Sequence, residues 1–212
     1  VPSTTASPGR TYRGQTGAGR REDRRQRLLK AGFDLYGVEG FGQVSIEALC
    51  REAGITARHF YEAFPTQVDL FTEVYAGVID EAEAHATQVV AEQGAGLSPT
   101  ELVRLGLGAT FHHLHDEPRR ARIVCLEARK IPTGASLGLF GMGRLTDIVE
   151  RFFFEHLAAH ATLEVDGRLL ASAVAGAVLE LLTVGLDPDR TGPIDELIDL
   201  AVFVACRTTG LA

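Results

Sequence analysis

The chain has 212 residues, 45% of them hydrophobic, and a formal net charge of −7, enough apolar material to bury a sizeable core in one or two domains. No apolar run approaches a membrane span, and the polar, glycine-rich N-terminus lacks the apolar centre of a signal peptide, so a cytoplasmic location without a membrane partner is expected. The charge is unevenly spread: residues 1–64 hold 10 Arg or Lys against 7 Asp or Glu, whereas residues 65–212 hold 11 against 21. An acidic body behind a basic headpiece repels a polyanion everywhere except at the headpiece.

Ser, Thr, Gly and Pro dominate residues 1–19, which are expected to form a disordered, basic and polar arm. Two readings of this arm stay open, a solvated tail or an arm that reaches phosphates or a minor groove. Arg20, Arg21 and Arg24 follow it as candidate phosphate contacts. Leu28, Ala31 and Leu35 then form one helical stripe, widened by Phe33 and Tyr36, until Gly37, Gly40 and Gly42 break the pattern.

Two short helical patterns joined by a glycine follow in residues 45–64, the sequence form of a helix-turn-helix. Ser45 is an N-cap ahead of Ile46 and Leu49; Ala53 permits a close helix crossing, Gly54 supplies a positive φ, and Ile55 fills the gap between the helices. Thr56 is a second N-cap. Phe60 and Phe64 lie one turn apart on a buried stripe, which leaves Ala57, Arg58, His59 and Tyr61 facing outward. Such a helix can enter a major groove, where Arg58 could pair bidentately with guanine; Tyr61 and the hydroxyls of Ser45 and Thr56 suit phosphate.

Pro65 stops this helix, and Thr66-Gln-Val-Asp69 forms a capping box with aspartate in place of glutamate, opening a long helix through Leu70, Phe71 and Val74. Farther on, Pro99, Pro118, Pro132, Pro188 and Pro193 fall between periodic stretches. The spacing predicts helices at 67–92, 99–115, 119–130, 137–161, 167–186 and 193–208, with no strand alternation. With the headpiece this makes an all-α fold of about nine helices. The arm is followed by a helix-turn-helix domain at 20–66 and a larger helical domain at 67–212.

The order helix, Gly-Phe, Ser-Ile-x-x-Leu, Ala-Gly-Ile-Thr, Phe-Tyr-x-x-Phe, Pro-Thr, x-x-Asp-Leu-Phe over about residues 24–75 resembles the tetracycline-repressor (TetR) family of bacterial transcription regulators. The resemblance implies an all-helical homodimer that binds a double-stranded DNA operator through its N-terminal domain. It also implies that the divergent C-terminal domain dimerises and binds a small-molecule effector, which usually releases DNA. The sequence departs from the family at Arg58 and His59, where a small residue and threonine are frequent, and at Gln67, where a phosphate-contacting lysine is common.

The predicted helix over 167–186 is apolar around much of its circumference, so Leu170, Val174, Ala177, Val178 and Leu181, with Ile194, Leu197, Ile198, Ala201 and Ala205 of the last helix, are the expected dimer interface. Burial inside the monomer is the competing reading. His85, Phe111, His112, His115, Cys125, Phe140, Met142 and Phe152 are candidate walls of an effector pocket for an apolar or aromatic ligand. Gly106, Gly108, Gly138, Gly141 and Gly143 mark close helix contacts, a cavity or a loop start. Cys50, Cys125 and Cys206 suit reduced, buried thiols.

His156 and His160 lie one turn apart, but no cysteine or carboxylate completes a ligand pattern, so neither a metal nor another cofactor is expected. No phosphate-binding glycine loop or nucleophile elbow is present, and an enzyme is not expected. The alternative is a helical small-molecule-binding protein, or an enzyme using a histidine with Glu127 or Asp116 as acid and base, that works through the C-terminal pocket without regulating DNA.

Overall fold

The computed structural model describes residues 17–131, 137–157, 166–187 and 189–211, with the side chains of 137–140 excepted. Among these residues there are nine α-helices and no strand: α1 (Gly17–Val38), α2 (Ile46–Ala53), α3 (Ala57–Ala63), α4 (Gln67–Gln93), α5 (Pro99–His115), α6 (Pro118–Ala121), α7 (Leu137–His156), α8 (Gly167–Val184) and α9 (Ile194–Thr209). Helix α1 begins at Gly17, inside the segment expected to be a disordered arm; the rest of that arm lies outside the described residues.

The first three helices close around one core. Leu28 and Tyr36 of α1, Leu49 of α2, and Phe60 and Phe64 at α3 are all fully buried together with Leu70 and Phe71 of α4. The rings of Tyr36, Phe41 and Phe71 meet at 5.3–5.6 Å with tilted or edge-on geometry, an arrangement favoured by the ring quadrupoles.

Helix α4 belongs to both halves of the molecule. Thr66 and Asp69 form the expected capping box: Asp69 N–H donates to the Thr66 hydroxyl at 3.2 Å, and Thr66 N–H donates to the Asp69 carboxylate at 2.9 Å. Its first turns bury Leu70, Phe71 and Val74 under the headpiece, and Val78, Ile79, Ala82 and Val90 continue into the C-terminal core. At 27 residues it runs roughly 40 Å as one rigid rod. A second capping box, Ser98 with Glu101, and Pro99 at the first helical position start α5.

The predicted helix over 119–130 is not regular. One turn of α6 passes into a wide π-type stretch at Arg122–Glu127 and then a 3-10 turn at Ala128–Lys130. Ile123, Val124, Cys125 and Glu127 are all buried. A regular α-helix cannot turn so many near-consecutive residues inward against different neighbours, and the widened turn re-aims them.

Helix α7 ends at His156, short of the expected 161, and 158–165 lie outside the described residues. Helices α7, α8 and α9 complete the body, with α8 packed on α7 and α9, and α9 also on α5. Contrary to the expectation from the sequence, α8 is long and apolar enough to cross a membrane by length and composition, its 18 residues having a mean hydropathy of 1.6. Here it serves as a bundle helix: Ala171, Val174, Ala175 and Leu182 turn inward. Cys50, Cys125 and Cys206 are buried and unpaired, and burial pushes the Cys125 thiol up to about 11.

Candidate functional site

The helix-turn-helix is built by local chemistry. The Ser45 hydroxyl accepts from Ala48 N–H at 3.2 Å, and Gly54 ends α2 at φ +62°. Gly54 N–H donates to Arg51 O and Ile55 N–H to Cys50 O at 2.9 Å, satisfying carbonyls at the end of α2. Thr56 has the extended backbone of an N-cap, but its hydroxyl makes no cap bond; it meets His59 Nδ1 at 3.2 Å instead. This side chain contact replaces the expected cap and helps hold His59 half-buried, so His59 is not fully outward as expected.

Ala57, Arg58 and Tyr61 are exposed, with Tyr61 57% accessible, and they form the outer face of α3 beside Glu62. Arg58 Nε donates to the Glu62 carboxylate at 3.0 Å. Ser45 and Thr56 stand exposed at the N-termini of α2 and α3, Arg20 and Arg21 are exposed in the first turn of α1, and Arg24 is half-buried.

Three further residues support this face; of these the sequence singled out Gln67 alone, as a departure from the family. Arg25 pairs with Glu73 of α4 and lies over the Phe64 ring at 5.0 Å. Arg27 donates to the carbonyl of Ala53 at 3.1 Å, tying α1 to the turn. Gln67 donates its amide to Val44 O at 2.7 Å, so the residue at the position of the family's lysine turns inward to brace the segment before α2.

A polar joint connects headpiece and body. Glu127, 1% exposed, accepts from Phe41 N–H at 3.0 Å, Arg122 Nε at 3.2 Å and Lys130 Nζ at 2.8 Å. Arg122 also donates to Val38 O at 2.9 Å, and Arg119 pairs with Asp34 while lying over Phe33. Burial acts to raise the Glu127 pKa, but Lys130, the Phe41 amide and Arg122 outweigh it and hold the carboxyl below the usual carboxylate range.

Inside the body lies a cavity of about 180 Å³. Its walls come from α4 (Ile79, Ala82), α5 (Val103, Leu107), the π-type stretch (Val124), α7 (Leu145, Phe152) and α8 (Val174, Val178). Gly106 lets the Phe152 ring approach, since a Cβ there would stand 3.2 Å from it.

Of the candidate pocket residues, Phe152 lines the cavity. Phe111 and Cys125 are fully buried in packed core beside it, and Met142 is half-buried away from the lining. His85, His112 and His115 are exposed: His85 stacks on His113 at 4.9 Å and His112 faces Asp195. The Phe140 side chain lies outside the described residues, as does His160. His156 lines the cavity with its ring 4.9 Å from that of Phe152. Among the described residues no group of three or more His, Cys, Asp or Glu could hold a metal ion.

The residues expected at a dimer interface are mostly spent inside the chain. Val174, Leu197, Ile198, Ala201 and Ala205 are buried in its own core, and Leu170 and Val178 line the cavity. Ala177, Leu181 and Ile194 are half-buried. The apolar side chains left outward are others: Leu169 (71% exposed) and Val184 on α8, and Leu200 and Phe203 (60%) on α9.

A family model described as bacterial regulatory proteins, tetR family, matches residues 28–74, the core of the headpiece and the start of α4. The HTH-type transcriptional regulator EthR of Mycolicibacterium smegmatis is 28% identical over 120 residues, or 56% of this chain, and the match spans about half (54%) of that relative's length. The transcriptional regulator FadR of Bacillus subtilis, solved with stearoyl-CoA, superposes with a TM-score of 0.67 at 15% identity, covering 88% of this chain and 98% of its own. RolR, solved with resorcinol, gives 0.68 at 18% identity over 92% of this chain and 91% of its own. The two solved structures share the all-helical fold of the chain, and its headpiece, residues 28–74, is that of the tetR family of bacterial regulatory proteins.

Proposed function

We propose that the chain is a cytoplasmic transcription regulator that binds a double-stranded operator as a homodimer and represses until a small apolar or aromatic effector enters its cavity. The observation that carries this reading is the exposed Arg58–Tyr61 face of α3, mounted on a headpiece whose fourth helix runs on into the wall of that cavity. Arg58 is the base reader, and Tyr61, Ser45, Thr56, Arg20, Arg21 and Arg24 are phosphate contacts that set register. The acidic body favours approach by this face alone.

Binding of stearoyl-CoA by FadR and of resorcinol by RolR supports a ligand role for the cavity. Its volume of about 180 Å³ is close to the roughly 150 Å³ of an apolar cavity that takes up benzene, which suits a ligand built around one ring. A ligand bound there presses on α4 and on Val124, three residues from the Glu127 joint, and changes DNA affinity to the extent that it binds the two headpiece positions unequally. The outward apolar side chains Leu169 and Val184 of α8 and Leu200 and Phe203 of α9 are the surface for a second copy, and a two-fold pair reads a pseudo-palindromic site.

Selection of bound duplexes from a random pool tests this reading. Enrichment of a sequence with dyad symmetry is expected; recovery of an unenriched pool contradicts it.

A further inference from the structure

We propose that Glu62 is a specificity-determining residue that works through Arg58, a role resting on the reading that α3 enters a major groove. Arg58 and Glu62 are one helical turn apart on the exposed side of α3, with Arg58 Nε donating to Glu62 Oε1 at 3.0 Å and the Arg58 side chain 86% accessible. The bond is made side-on. It occupies Nε and leaves both Nη atoms of the guanidinium without a partner among the described residues. Those are the atoms that can form the end-on, two-pronged contact with O6 and N7 of guanine, and because the five N–H groups share one plane, fixing Nε fixes their plane as well.

An unbuttressed arginine on a helix surface samples many rotamers and contacts phosphates as readily as bases. Glu62 acts against both. It holds the guanidinium toward the base edges, and its own negative charge disfavours phosphate beside it. Its second oxygen, also without a partner among the described residues, can accept from the N4 amine of cytosine, an atom only a C·G pair presents in this groove. Arg58 holds the Glu62 carboxyl below the usual carboxylate range, with His59 and Arg24 adding to the effect.

A carboxylate on a DNA-facing surface repels the phosphates of every sequence; paired in this way, it offsets that cost only on the duplex whose bases Arg58 reads, and so gives up general affinity for discrimination. The two effects of removing it therefore have opposite signs, which loss of a merely structural contact does not produce.

The test uses the full chain, wild type beside Glu62→Ala, Glu62→Gln and Arg58→Ala, each checked for unchanged helical content, with selection from a random duplex pool followed by binding to the selected and to a scrambled duplex. The wild type is expected to enrich guanine at one position of each half-site. Glu62→Ala should lose about tenfold discrimination there while binding the scrambled duplex at least as tightly, Glu62→Gln should lose less, and Arg58→Ala should abolish the preference. A Glu62→Ala variant that retains wild-type discrimination overturns the proposal, as does one that weakens both duplexes alike. Absence of any enrichment by the wild type overturns the DNA-binding reading itself.

Discussion

The Glu127 carboxylate receives the Phe41 amide at 3.0 Å from 86 residues away in sequence, joining the turn that leads into α2 to the π-type stretch that walls the cavity. Because Glu127 is buried and its cationic partners Arg122 and Lys130 are partly exposed, the site behaves as a charged clamp closed on one side by protein. Its geometry makes a definite statement about stability and pH.

Glu127→Gln is expected to lower unfolding free energy at pH 7 by about 1–2 kcal/mol, the range of a charge-assisted bond with half-exposed partners. The folded carboxyl pKa is depressed, so its contribution is fully present above the unfolded value of about 4.3 and is lost as pH falls through the lower folded value. Denaturant unfolding at pH 7 and at pH 3 should show the gap between wild type and variant narrowing in acid; an equal gap at both would contradict the clamp.

Gly54 sits at φ +62°, and a Cβ there would meet nothing closer than Arg27 Nη1 at 3.6 Å. The cost of Gly54→Ala is therefore conformational, about 1–2 kcal/mol, measurable by thermal or denaturant unfolding, with DNA affinity falling in step with the displacement of α3.

On the reading face, Arg58→Ala should cost about 1–3 kcal/mol of binding to the selected duplex and relax base preference. Tyr61→Phe should weaken binding evenly across sequences, because a single hydroxyl on phosphate positions the helix without reading it. Fluorescence anisotropy on selected and single-base-changed duplexes separates the two patterns.

Val174 is buried and lines the cavity. Val174→Phe should fill the space at a modest cost, below the roughly 1–3 kcal/mol of overpacking a closed core. Toluene at millimolar concentration should raise the melting temperature of the wild type and leave this variant unmoved. A shift of the same size in both would place toluene elsewhere.

Phe203 and Leu200 stand outward on one face of α9. Phe203→Arg and Leu200→Glu together should convert a dimer to monomer in sedimentation velocity without loss of helical content; a wild type that sediments as a monomer at micromolar concentration contradicts the proposed pairing.

What could be read from the sequence was what local chemistry decides. Ser45, Gly54, Phe60 and the Thr66–Asp69 box each act on neighbours within a few residues, and the structure places them as expected. Thr56 failed as a side-chain cap because a competing partner, His59, lies three residues on. Glu127, Arg27 and Gln67 act over 86, 26 and 23 residues, and no periodicity reports such pairings. Phe111 and Phe152 carry the same apolar helical signature, yet one is packed solid and the other borders a cavity. The α9 stripe Leu197, Ile198, Ala201 and Ala205 looked like an interface because the sequence cannot show that α5 and α8 already cover it.

The most direct test of regulation through sequence-specific DNA binding is the affinity of the intact protein for its selected duplex against a scrambled duplex of equal length and composition at physiological salt. A ratio of about 10³ or more is predicted; equal affinities would contradict it.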